Sequence, residues 1–242
     1  MTTDHTRTTD PTPSLDPPRT SVLLAGAAMA GPLWACVSLA QAGTREGFTL
    51  LRHPLSALST GEMGWLQITN FVVAGVLIVG GAVGLRRVLA GAPGGTWAPR
   101  LVAVYGAGMV AAGVLVMDPA DGFPVGTPAG PPNSLSWHAG GHLAAGAISF
   151  TALAVACLVL RRYFGHRGQR GLSVVSLVAG VAVPLGNGWA MTGGPAGSLT
   201  LAAGVIPAML WLSTTAWLLR RELRHRTQSR RPNDTTDDRE HP

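Results

Sequence analysis

Residues 65–85 read WLQITNFVVAGVLIVGGAVGL, without one Arg, Lys, Asp or Glu, and this run decides what kind of protein the chain makes. A helix needs about 20 predominantly apolar residues to cross roughly 30 Å of hydrocarbon. A charge at the bilayer centre costs on the order of 3 kcal/mol even on the lenient insertion scale. Runs of the same kind lie near 21–41, 101–117, 138–160, 171–192 and 199–219. Hydrophobic residues make up 47% of the 242 positions and charged ones only 12%, about half the charged share of a soluble domain. The expected fold is all-α, a polytopic membrane protein built as a bundle of six transmembrane helices.

The basic residues sharpen this into a topology. All 18 are Arg, and the formal charge is +6, a balance that raises the question of nucleic acid. Their placement argues against it. Arg86, Arg87 and Arg100 flank the connection between spans two and three; Arg161, Arg162, Arg167 and Arg170 fill the next-but-one; Arg220, Arg221, Arg224 and Arg226 follow span six. The alternate connections hold Arg45 and Arg52 against Glu46, Glu62, Asp118 and Asp121. The positive-inside rule then puts both termini in the cytoplasm and the protein in the cell membrane. Residues 1–20 and 227–242, poor in apolar side chains, are expected to be disordered cytoplasmic tails around a transmembrane domain at 21–226.

Details of the spans carry structural expectations. Ala40, Gln41 and Ala42 form an A-x-A pattern, but the preceding run has the length of a span, so span one is read as retained. Gly80 and Gly84 form a G-x-x-x-G pair suited to a close helix crossing within the chain, with a homo-oligomer face as the lesser reading. Pro184 and Pro207 predict kinks, and Asn187 is placed to satisfy a carbonyl that Pro184 frees. Trp65, Trp137 and Trp189 fall at span boundaries, as interfacial anchors do. Cys36 and Cys157 lie within spans as small apolar residues, with no disulfide expected. No internal repeat and no charge at mid-membrane depth favours a transporter.

Two connections on the predicted outer side hold nearly all the available chemistry. The first, Ala42 to Gly64, has Leu50, Leu51, Leu55 and Leu58 at near-helical spacing beside Pro54, which predicts a short amphipathic segment at the interface. The second, MDPADGFPVGTPAGPPNSLSWHAGGH, is a Gly- and Pro-rich shaped loop. His138 and His142, four apart, share one side of a helix, at an N-terminus that disfavours a cationic imidazole. Asp118 and Asp121 follow a helix C-terminus, where the dipole repels anions, so a counter-charge is expected. Arg52 is expected close to Asp118 or Asp121, an Arg52–Asp118 ion pair being the leading candidate, with Arg45, a histidine or a cation as alternatives. His138, His142 and Asp118 are candidate zinc ligands, and His53, Ser56 and Asp121 candidate catalytic groups. Against these stands the plainer expectation that the histidines bond loop carbonyls and the hydroxyls cap helices. H-E-x-x-H, G-x-S-x-G, a Walker loop and CxxC are all missing.

The stretch HPLSALSTGEMGW followed by NF, then DPADGFPVGTP and a Ser-rich approach to GGH, resembles the bacterial six-span family called domain of unknown function 998, over roughly residues 20–225. The resemblance implies a six-helix integral membrane protein and carries no catalytic residues with it. A thinner likeness of ingredients links the chain to the membrane hydrolases that include alkaline ceramidases, which have seven spans and place the final histidine pair differently. Three function classes follow. One is a structural, sensory or lipid-interacting membrane protein with lipids as partners. Another is a metal-dependent hydrolase with zinc at the His/Asp site. The third is a haem or quinone redox protein with His53 and His142 as axial ligands.

Overall fold

The computed structural model describes residues 17–229. Its six long helices are α1 (Pro17–Thr44), α2 (Gly64–Val88), α3 (Trp97–Val114), α4 (Trp137–His166), α5 (Arg170–Met191) and α6 (Gly197–Ser229), with a short 3₁₀ helix at Leu55–Ser59. Each of the six is long and apolar enough to cross a membrane, and no strand occurs among the described residues. The protein is an all-α, multi-pass membrane protein. α1 starts at Pro17, where a proline suits the first helical turn, and α6 runs to Ser229. The transmembrane unit thus reaches a few residues past the expected 21–226 at both ends. The rest of the two expected disordered tails lies outside the described residues.

Each helix packs on its neighbours in sequence, and α6 returns to pack on α1, while contacts across the middle are slight. The result is a closed ring of six helices. The connections 45–63, 115–136 and 192–196 lie at one end, called here the loop face. The start of α1, the end of α6 and the Arg-rich connections lie at the other, the arginine face.

The ring closes through small residues, because lipid gives packed helices no hydrophobic advantage and close backbone contact must supply the attraction. At the α2–α3 crossing a Cβ on Gly75 would stand 2.6 Å from the Gly106 oxygen, and one on Gly106 would stand 2.8 Å from the Gly75 oxygen. In the G-x-x-x-G pair, Gly84 packs on Leu24 of α1 but Gly80 meets only one Leu23 methyl, at 3.4 Å. The tightest contact there is Gly81, whose Cβ would fall 2.2 Å from that of Ala27.

Proline shapes α1 as well as α5 and α6, since Pro32 lies inside it. Beginning at the residue just before Pro32, the Ser213 hydroxyl of α6 accepts from Gly31 N (3.0 Å) and donates to Ala27 O (2.9 Å). Those two groups are an i→i−4 pair that an undisturbed helix bonds directly. A side chain inserted into that ladder is a recognised cause of bending. Asn187 does not follow its expectation. It makes no side-chain hydrogen bond among the described residues and instead lines the central cavity. Trp65, Trp137 and Trp189 are exposed at the loop-face ends of α2, α4 and α5. Both cysteines are free; Cys157 is buried but Cys36 is exposed on the outside of the ring.

Candidate functional site at the loop face

The predicted amphipathic segment is a lid over one end of the ring. Leu55 and Leu58 of the 3₁₀ helix turn inward and are buried. Arg45, just past α1, fixes the far end of that helix by donating to Leu58 O (2.5 Å) and Thr60 O (2.7 Å). Its guanidinium lies 4.8 Å from the Phe123 ring centroid, and burial lowers its pKa from the ordinary arginine value. Phe123 is itself buried against Phe48 and His53, with centroids 5.2 and 5.5 Å away. One aromatic cluster therefore joins the first loop to the second.

Asp121 is the polar hinge of this junction. It sits at φ 55°, a left-handed conformation that Asp tolerates better than most residues. Arg52 donates from Nε to its Oδ2 (3.0 Å) and from Nη2 to its Oδ1 (2.6 Å). Of the two aspartates expected near Arg52, the partner is Asp121, and the leading Arg52–Asp118 pair is corrected. The reason is that Asp118 already has donors, Ser136 N at 2.8 Å and Ser136 Oγ at 2.6 Å. Ser136 is the N-cap of α4, so Asp118 puts its charge at a helix N-terminus, where the dipole favours it. Hydrogen bonds from Ser136 hold the Asp118 carboxyl below the usual range, and the bond from Arg52 does the same for Asp121.

The histidines serve backbone groups. His53 Nδ1 accepts from Thr49 N (3.1 Å), so Nε2 carries the proton and donates to Asp121 O (2.9 Å). With both nitrogens engaged, His53 has no lone pair for a base or for haem iron, and the Ser56 hydroxyl makes no hydrogen bond to a base among the described residues. His138 Nδ1 donates to Val116 O at 2.9 Å. His142 Nδ1 donates to Ala112 O (2.9 Å) and Leu115 O (2.8 Å). Helical spacing does align the two rings, and they satisfy carbonyls at the end of α3 that have no helical partner.

The candidate zinc site of His138, His142 and Asp118 is therefore corrected. No group of three or more His, Cys, Asp or Glu among the described residues can hold a metal. The atom of His138 nearest Asp118, Nδ1, is 3.9 Å from Oδ1 and is already spent on carbonyl and hydroxyl oxygens. His142 points its Nδ1 back into α3.

Beneath the lid the ring encloses a cavity of about 640 Å³, within the roughly 300–1,000 Å³ of small-molecule sites. Its wall is mostly apolar, with Trp34, Phe71, Met109, Phe150, Leu201 and Met209, and its rim toward the lid carries Arg52, Ser56 and Ser198. No Asp or Glu lines it. Leu143 and Ala147 of α4 and Met191 of α5 line the cavity and are exposed. Closer to the arginine face α4 and α5 touch, since a Cβ on Gly180 would meet Ala154 O at 3.0 Å. The loop-face halves of these helices thus flank the cavity with lining residues that are themselves exposed.

A family model described as "Protein of unknown function (DUF998)" matches residues 28–218. The chain belongs to this family. No curated protein and no solved structure matches it. In this DUF998 member the match takes in both loop-face segments, the lid and every residue named above as lining the cavity.

Two features of this DUF998 chain escaped the sequence reading. One is a buried amide cluster between α1 and α2. Gln41 Nε2 donates to Gln67 Oε1 (2.8 Å), Gln67 Nε2 to Ser38 Oγ (2.9 Å) and Asn70 Nδ2 to Trp34 O (3.1 Å). Polar residues at membrane depth were the available signal, because such groups seek partners across helices. The other is the cavity, for which no local pattern exists.

The corrected ion pair has a direct check. Arg52 and Asp121 side chains are 53% and 36% exposed, and exposed pairs are worth about 0.2–1 kcal/mol. A double-mutant cycle of Arg52→Gln with Asp121→Asn should show coupling of that size, and Arg52→Gln with Asp118→Asn should be additive. Asp121 is depressed in the folded state, so the coupling is present above the usual aspartate range and is lost as pH falls through the depressed value. Coupling to Asp118 instead would reinstate the sequence-based pairing.

Proposed function

We propose that this DUF998 protein is a lipid-interacting protein of the cell membrane that takes an amphiphile from the bilayer into its central cavity. The observation that carries this reading is the apolar chamber whose lining includes exposed residues of α4 and α5, a side entry for a bilayer lipid in this reading. The lid, held by its Arg52–Asp121 and Phe123 contacts, lies over the loop-face end of the chamber. A hydrolase reading has no metal group among the described residues, and a haem reading has lost His53 as a ligand.

The test is the lipid content of protein purified in mild detergent. Wild type should keep a tightly bound amphiphile detectable by mass spectrometry, and Ala147→Trp, which narrows the side entry, should keep several-fold less at an unchanged helix content. Equal content in the two proteins would remove the cavity from the account.

The proposal includes an orientation, with the arginine face in the cytoplasm, supported by the segregation of Arg between alternate connections. After replacement of Cys36 and Cys157, a cysteine at position 130 should react with an impermeant thiol reagent on intact cells and one at 165 should not. The reverse pattern would invert the orientation.

A further inference from the structure

We propose that His142 selects the occupant of the cavity, and that the occupant is an uncharged long-chain amphiphile bearing a hydroxyl or N–H donor; this rests on the cavity reading above. His142 is 5% exposed and lines the cavity. Its Nδ1–H is committed to Ala112 O and Leu115 O. The same proton cannot sit on Nε2, so that nitrogen offers a lone pair and only accepts. No protein donor reaches it among the hydrogen bonds of the described residues, and Phe71, at 6.2 Å between centroids, is its aromatic neighbour. An acceptor left bare in an apolar chamber is unfavourable, and a ligand donor removes that cost.

The rest of the wall narrows the chemistry. Trp34 Nε1 and Ser149 Oγ also lack partners, but both atoms are covered by protein, so neither can meet a ligand as the wall stands. Arg52 is the one charged residue in the lining, and Asp121 already neutralises it. An anionic phosphate or carboxylate head therefore finds no free cation and faces the His142 lone pair with acceptors of its own. A quaternary ammonium finds neither an acid nor a use for the lone pair. A long-chain alcohol, phenol or glyceride fits the apolar wall, the His142 acceptor and the Asn187 amide, whose Oδ1 also accepts and whose Nδ2 donates to a hydroxyl oxygen.

The experiment uses the full chain in detergent and tritiated 1-hexadecanol, displaced by unlabelled 1-hexadecanol, hexadecyl methyl ether or hexadecyl phosphate. The alcohol should displace the label at about a tenth of the ether concentration, the size of one hydrogen bond to an otherwise bare acceptor. Hexadecyl phosphate should be the weakest. His142→Asn keeps a donor near the Nδ1 position for the α3 carbonyls and removes the Nε2 acceptor, so in it the alcohol and the ether should displace alike. Equal potency of alcohol and ether in wild type would overturn the role of His142 and leave the cavity reading standing, as would an alcohol preference that survives in His142→Asn. Hexadecyl phosphate as the tightest ligand would overturn the uncharged class. No saturable binding of the label would overturn the cavity reading itself.

Discussion

Gly106→Leu should prevent the ring from closing, leaving protein that melts at least about 10 °C lower or fails to accumulate, at a cost above about 3 kcal/mol. At this crossing the α2 and α3 backbones are in contact, and any Cβ on Gly106 would stand 2.8 Å from the Gly75 oxygen and 2.9 Å from an Ile78 methyl. A carbonyl oxygen on a helix cannot swing aside as a side-chain tip can. The helices must separate, and in lipid the lost van der Waals contact is not replaced by any hydrophobic gain. Gly106→Ala should fall between, at about 1–3 kcal/mol. Gly80→Ala is the control, because its Cβ would meet only Leu23 Cδ2 at 3.4 Å, and it should be neutral or slightly stabilising through helix propensity. Thermal melts in detergent decide the matter; equal melting of Gly106→Leu and Gly80→Ala would disprove the close crossing.

Arg45→Met should release the lid while the six helices stay assembled. Methionine keeps much of the apolar stem but loses the donors to Leu58 O and Thr60 O and the charge over Phe123. Charge-assisted bonds to carbonyls and a partly desolvated cation–π contact together put the local cost at about 2–4 kcal/mol. Hydrogen exchange over residues 53–60 should accelerate at least about tenfold. Arg52→Met should accelerate the same amides less than about fivefold, because its ion pair is exposed. If the two substitutions act equally, Arg45 is not what holds the lid.

These contrasts show where sequence reading stopped. Arg45 and Arg52 are seven residues apart in one loop, and both were candidate counter-charges for an aspartate. Arg45 instead turned to carbonyls because the chain after α1 brings it under the 3₁₀ helix. Asp118 and Asp121 are three apart, and which of them meets Arg52 depends on the left-handed turn at Asp121 and on Ser136 arriving from the far end of the loop. The spacing of His138 and His142 correctly put their rings on one side, but it could not say whether that side faces a metal or the end of α3. In the same way Gly80 and Gly84 stood out by pattern, although Gly81 makes the closest contact.

The sequence by itself determined the six spans, the two polar connections that share a face, and the family; most span ends fell within about four residues of the helix ends, while α4 and α6 run 6 and 10 residues past the expected 160 and 219. Burial in lipid is a transfer free energy summed along a continuous run, so each span is written locally in its own residues. Tertiary structure alone decided the Arg52–Asp121 pairing, the Ser213 bridge into α1, the amide cluster of Gln41, Gln67 and Asn70, and the cavity with His142 in its wall. Each of these joins groups from separate helices or loops at hydrogen-bond range, and a shift of about 1 Å breaks such a contact without altering the hydropathy of any span.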